Sequence, residues 1–244
     1  MKQLNKMKKL IFMLAAAAAL LTFSSCEKVV GVGPLQTETR NVTGFSGISA
    51  SVGGKINYKI DPQYKVEITA QANILDVIET STFNGYLLIK IRNGVHIRSN
   101  EEITINVSAP NADYLHLSGT GDLTVTGNIN ETNLDMSISG TGSMTIPNAT
   151  VTDRINAVIS GSGDIIVQTG SAKNEDLRIS GNGKMLMDGV AVEKATTNIS
   201  GSGDMQVKVS QSLNATISGS GSVYYLGNPI ISTNISGSGR VRPM

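Results

Sequence analysis

The chain has no tryptophan, and only four phenylalanines and six tyrosines in 244 residues. A broad globular core is usually filled in part by aromatic rings. So small a supply points to a narrow core of aliphatic side chains. Cysteine occurs once, at Cys26. A single cysteine cannot close an internal disulfide, which excludes a disulfide-stapled scaffold. There are two histidines, His96 and His116, with no second histidine or cysteine close in sequence. The usual zinc ligand sets are therefore missing, and a Ser-His-Asp triad has little support. Alternation places both histidines on outward strand faces. The net charge is +1, too balanced for a nucleic-acid partner. Past residue 25, no apolar run has transmembrane length.

Glycine is plentiful, with 26 residues, and it is not scattered. One phrase recurs seven times: SGTGDL, SGTGSM, SGSGDI, SGNGKM, SGSGDM, SGSGSV and SGSGRV. Its glycines are Gly119, Gly121, Gly140, Gly142, Gly161, Gly163, Gly181, Gly183, Gly201, Gly203, Gly219, Gly221, Gly237 and Gly239. The phrases begin 21, 21, 20, 20, 18 and 18 residues apart. A regular period of this size is the mark of a solenoid, in which each repeat is one coil. Propeller blades need about twice that length.

The residue before each serine is aliphatic: Leu117, Ile138, Ile159, Ile179, Ile199, Ile217 and Ile235. The fifth residue after it is apolar as well, running from Leu123 and Met144 to Val223 and Val241. Period two puts these positions on one side of strands that flank the glycines. Coils stacked about 4.8 Å apart then line them up in columns. The expected fold class is all-β, a parallel β-helix with coils of about 18–21 residues. The repeated serine is small enough to turn inward and bond the backbone. Charge and proline at Arg240, Arg242 and Pro243 are expected to block growth at the last edge.

Residues 1–25 read as a leader. Lys2, Lys6, Lys8 and Lys9 precede an apolar stretch from Ile11 to Leu21, long enough for a signal peptide and short for a bilayer span. Cys26 follows directly. The arrangement resembles a bacterial lipoprotein signal with Cys26 as the lipidated residue, although Phe23 stands where such signals usually carry leucine. Removing the four leader lysines leaves 16 Lys+Arg against 19 Asp+Glu. The expected organisation is a leader over 1–25, then a flexible tether over 26–40. An N-terminal β segment of irregular coils or a cap occupies 41–111, and the regular β-helix 112–244. Within 41–111, Lys55–Ile60, Lys65–Thr69, Tyr86–Ile91, Val95–Ile97 and Ile103–Val107 alternate as strands. Asn73–Thr80 reads as strand rather than helical turn.

Candidate chemistry is sparse. The glycine phrase lacks the GK[ST] ending of a phosphate loop. A calcium roll is the stronger rival, because Asp122, Asp164 and Asp204 follow the second glycine in alternate repeats. Two coil spacings of about 4.8 Å separate them, too far for one ion with ligands at about 2.3–2.6 Å. Glu101-Glu102, Asp135, Asp153 with Arg154, and Glu175-Asp176 with Arg178 read as surface charge. Tyr64, Tyr86, Tyr114, Tyr224 and Tyr225 are the candidates for an aromatic glycan face. No catalytic residue, metal ligand or cofactor is expected.

Taken together, the leader, the entry RNVTGFSGISASVGG (Arg40–Gly54) and the [L/I]SG[S/T/N]G series resemble the auto-transporter adhesin family with a head GIN domain, common in Bacteroidetes. The resemblance implies a right-handed parallel β-helix and a cell-envelope setting. It brings no catalytic residues. The function expected is a non-enzymatic envelope lipoprotein, exported, lipid-anchored in the outer membrane and exposed at the surface. It would present a solenoid face to glycan or protein. The alternatives are a periplasmic or outer-membrane scaffold, with self-association, and a polysaccharide-acting β-helix enzyme.

Overall fold

The computed structural model describes residues 27–99 and 101–244. A stack of β-coils forms the body, within one 17-stranded sheet. The regular part runs through β10 (Tyr114–Gly119), β11 (Asp122–Thr126), β12 (Asn128–Gly140) and β13 (Ser143–Gly161). It continues through β14 (Asp164–Gly181), β15 (Lys184–Gly201), β16 (Asp204–Gly219), β17 (Ser222–Leu226), β18 (Ile230–Gly237) and β19 (Arg240–Pro243). Successive coils pair in parallel, and the first glycines of the phrase stack in register, Gly140 on Gly161, Gly181 and Gly201.

Each coil consists of three paired runs joined by corners. Where β13 meets β14 these runs are 143–146, 148–150 and 154–161 of β13. The shrinking period comes from the corners. Between the pairs Thr150–Ser171 and Arg154–Asn174, β13 carries one residue more than β14. Between Met187–Val207 and Ala191–Lys208, three residues of β15 have no partner, and one is regained before Lys194–Ser212. The periods of 21, 20 and 18 thus leave the paired runs untouched.

The core is the set of columns read from the alternation. Leu117, Ile138, Ile159, Ile179, Ile199 and Ile217 are buried, as are Leu123, Met144, Ile165, Met185, Met205 and Val223. Burying each such side chain contributes roughly 1.5–3 kcal/mol. The phrase serines are the correction. Ser139, Ser160, Ser180, Ser200 and Ser218 are exposed on the outer face. Each adjoins an inward aliphatic residue, so period two sends it outward.

The N-terminal segment adds β3 (Gly47–Ser51), β4 (Lys55–Ile60), β5 (Lys65–Gln71), α1 (Ala72–Leu75), β6 (Ile78–Phe83), β7 (Tyr86–Ile91), β8 (Val95–Arg98) and β9 (Thr104–Ala109). Its spatial order is not its chain order. The coil of β3 and β4 lies between that of β7 and β9 and that of β10 and β11. Antiparallel strands then close this end, β5 on β9 and β6 on β7. Tyr58 is buried here, and its hydroxyl donates to the Asn111 carbonyl.

Two expectations fail in this region. Residues 27–40 are not a loose tether: β1 (Glu27–Val30) pairs in parallel with β8, and β2 (Leu35–Thr39) pairs antiparallel with β5. Both run along exposed edges, so they lack a buried alternating stripe, which is why sequence alone reads them as linker. Asn73–Thr80 begins with the helical turn α1, which buries Ile74 and Leu75, and becomes strand only at Ile78.

Candidate functional site

One continuous sheet face is built by β7, β3, β10, the later halves of β12 to β16, and β18. Equivalent outward residues form columns along it. At its N-terminal end the rings of Tyr86 and Tyr114 stack with centroids 4.3 Å apart and planes at 22°. They meet at Gly47, the β3 residue that pairs with Tyr114. A side chain at Gly47 would collide with the Tyr114 carbonyl oxygen, and the rings cover the gap that glycine leaves. Since the rings cover each other, the π-faces that would stack on a sugar are partly used up. Beside them, the His116 ring lies 6.3 Å from that of Tyr114 and its Nδ1 is hydrogen-bonded to Ser137. The alternation reads His116 as outward; it is outward yet half-buried, and burial lowers its pKa. His96 is exposed.

Further along the same columns is a polar groove of about 370 Å³ lined by Asn133, Asp135, Arg154, Asn156, Asp176 and Arg178. Asn156 Nδ2 donates to Asp135 at 2.8 Å, and Arg154 pairs with Asp176 at 3.4 Å. Donors and acceptors alternate here at rung spacing, which suits a ligand with many hydroxyls or a polar peptide. Tyr64 packs edge-on against Phe45, and Tyr224 lies under Arg242; neither lines the groove. A larger cavity of about 660 Å³ lies at the N-terminal end, its lining including Val52, Ile91, Ile97, Ile103, Glu101 and Glu102.

The family question is settled by a match over residues 44–229 to the family described as "Putative auto-transporter adhesin, head GIN domain". The chain belongs to this adhesin family. A "putative adhesin" from Bacteroides fragilis NCTC 9343 has the same fold with a TM-score of 0.81 at 24% identity, covering 88% of this chain and 100% of that one. A "putative lipid binding protein" from Parabacteroides distasonis ATCC 8503 gives 0.72 at 21%, covering 89% and 100%. A "putative adhesin" from Parabacteroides merdae ATCC 43184 gives 0.70 at 21%, covering 89% and 99%. At these identities the likeness establishes the fold. No curated protein matches the chain.

In this adhesin-family chain the repeat aspartates have a backbone partner. Asp122 accepts from the Ser143 amide, Asp164 from the Lys184 amide at 2.9 Å, and Asp204 from the Ser222 amide at 2.9 Å. Each carboxylate ties its corner to the next coil. Among the described residues no group of three or more His, Cys, Asp or Glu could hold a metal. Asp164→Ala is therefore expected to lower stability by about 1 kcal/mol, the worth of one net hydrogen bond. Thermal unfolding with and without calcium checks this; a calcium-dependent shift that disappears in the variant would restore the metal reading.

The first glycine of each phrase, from Gly119 to Gly237, has φ between +105° and +137°. The second glycines stand against the coil before: a side chain at Gly203 would strike the Gly183 carbonyl oxygen. Cys26 lies outside the described residues.

Glu175 is the residue that sequence reading misplaced. Read as surface charge, it is 1% exposed, and neither carboxylate oxygen has a hydrogen-bond partner. Burial pushes its pKa up to about 8, with a further push from Asp176. It pairs with Ile155 and Ala195 in an inward column. Its phase with Leu177 and Ile179 was the available signal, overridden by its charged neighbours in sequence.

Proposed function

We propose that this protein is a non-enzymatic envelope module that holds a polar ligand, glycan or protein, on the face carrying the Asp135–Asp176 groove. The observation that supports this is the ladder of alternating donors and acceptors on a rigid sheet. The Ser137–His116 pair is a hydrogen bond between neighbouring coils, and among the described residues no hydrogen bond joins His116 to a carboxylate that would orient it for catalysis. A sheet face holds such groups fixed, so binding need not order them first.

The same reading places a lipid anchor at Cys26 and the body at the outer surface. Glu27 already belongs to β1 and pairs with Val95 of β8. A lipidated Cys26 would hold the capped end close to the bilayer, without a long linker. The test is protease shaving of intact cells carrying the tagged full chain and its Cys26→Ser variant. The expected result is rapid loss of the body from unbroken cells, and release of Cys26→Ser from the membrane fraction. Protection until the outer membrane is opened would remove the surface assignment. Membrane retention of Cys26→Ser would remove the anchor.

A further inference from the structure

The two ends of the solenoid are finished differently. Antiparallel strands and α1 close the N-terminal end. At the other end β18 pairs with β16 along one edge, and among the described residues its opposite edge carries no partner. Its inward positions are uncovered: Ile231 is 39% and Ile235 40% exposed, whereas Leu213 and Ile217, one coil earlier, are 0% and 1%. The charge and proline expected to protect this end, Arg240, Arg242 and Pro243, lie on β19. β18 itself reads IISTNISG, with neither charge nor proline. A bare, uncharged edge of this length is a template for pairing.

The strand is also self-complementary. Its inward residues Ile231, Thr233 and Ile235 are symmetric about Thr233. Antiparallel pairing with an identical strand centred there sets Ile231 opposite Ile235 of the second copy, and Thr233 opposite itself. Ser232 then faces Asn234 on the outer side. Directly opposed residues of an antiparallel pair share one face, so the two aliphatic cores join. The contact is isologous and closes at two copies rather than growing into a fibre.

We propose that β18 is the pairing edge for a second copy of this chain, in a tail-to-tail dimer related by a two-fold axis at Thr233. This puts the two capped ends at opposite extremes. If Cys26 is the anchor, which rests on the functional reading above, the dimer bridges two facing membranes rather than lying along one.

The experiment uses the full chain on intact cells, with Thr233→Cys and, as a control at an exposed corner, Thr132→Cys. Paired antiparallel residues have Cα atoms about 4.5–5.5 Å apart, within disulfide range. Mild oxidation should give a disulfide dimer for Thr233→Cys at least tenfold above that for Thr132→Cys. Adding Ile235→Lys to Thr233→Cys should reduce it tenfold or more. Equal yields at the two positions, or no dimer at Thr233→Cys in a chain with unaltered thermal unfolding, would overturn the pairing. Mixing two differently tagged cell populations separates the second step. Dimers carrying both tags support the bridge between membranes. Dimers confined to one population overturn the bridge, and shaving of the same cells shows whether surface display failed as well.

Discussion

Gly201→Ala is expected to lower the melting temperature by about 6–12 °C. Two effects act at this position. Gly201 has φ near +130°, a region that side-chain-bearing residues enter at a cost of about 1–3 kcal/mol. A methyl group there would also strike the carbonyl oxygen of Gly181 in the coil beneath. That atom belongs to the stacked backbone and cannot swing aside as a flexible side chain would. A combined cost of about 3 kcal/mol gives the stated shift, at roughly 2–4 °C per kcal/mol for a chain of this size. Gly33→Ala is the internal comparison. Its φ is +84°, but nothing lies within 4 Å of the added carbon, so only the conformational cost applies. Scanning calorimetry of the two variants checks the difference. Equal losses would show that the contact between stacked coils contributes little.

Glu175→Leu is expected to stabilise the protein by several kcal/mol at pH 8 and much less at pH 4.5. The native carboxyl has a pKa of about 8 against 4.5 for the free group, mainly because it is buried. Below pH 4.5 it is protonated in both the folded and the unfolded chain. Between pH 4.5 and 8 the unfolded chain releases the proton while the folded one retains it. Stability therefore falls as pH rises through that window, by on the order of 5 kcal/mol, and levels off above it. Leucine removes the titration and fills an aliphatic column between Ile155 and Ala195. Glu175→Gln separates the two effects, because it keeps a polar group in place while removing the charge. Urea unfolding at pH 5 and pH 8 should show the wild type losing stability with pH and both variants losing markedly less. A residual slope of the same sign is expected from Asp113 and Glu131, whose pKa values burial also raises. A wild type as stable at pH 8 as at pH 5 would place Glu175 in contact with water.

Such a residue in a solenoid core is informative about function as well. An unpaired buried carboxyl usually marks a reaction centre or a cost borne for another reason. Here it sits among Ile155, Leu177 and Ala195 with its oxygens unpartnered, and it does not line the polar groove. It lies directly beneath the polar face, where its chain neighbours Asn174 and Asp176 take part in the outer ladders. The stability cost and the binding face share a coil but not a surface.

The repeat determined most of the fold from sequence. Seven glycine phrases at a nearly constant period fix one coil per repeat, and strict alternation around them fixes which residues face inward. That logic is local and cumulative, because each coil repeats the constraint of the last. It carried through to the buried Ile and Met columns and to the family. What the sequence could not decide is what depends on non-local pairing. β1 and β2 are strands only because β8 and β5 offer them an edge. The β3–β4 coil lies between two coils that come later in the chain, an order that no local pattern encodes. The groove is equally a product of stacking, since Asp135, Asn156 and Asp176 come from three coils and meet only through register. The openness of β18 is a tertiary fact too. Its alternation matches that of the buried strands, yet among the described residues no further strand lies on its outer edge, and Ile231 and Ile235 are exposed there.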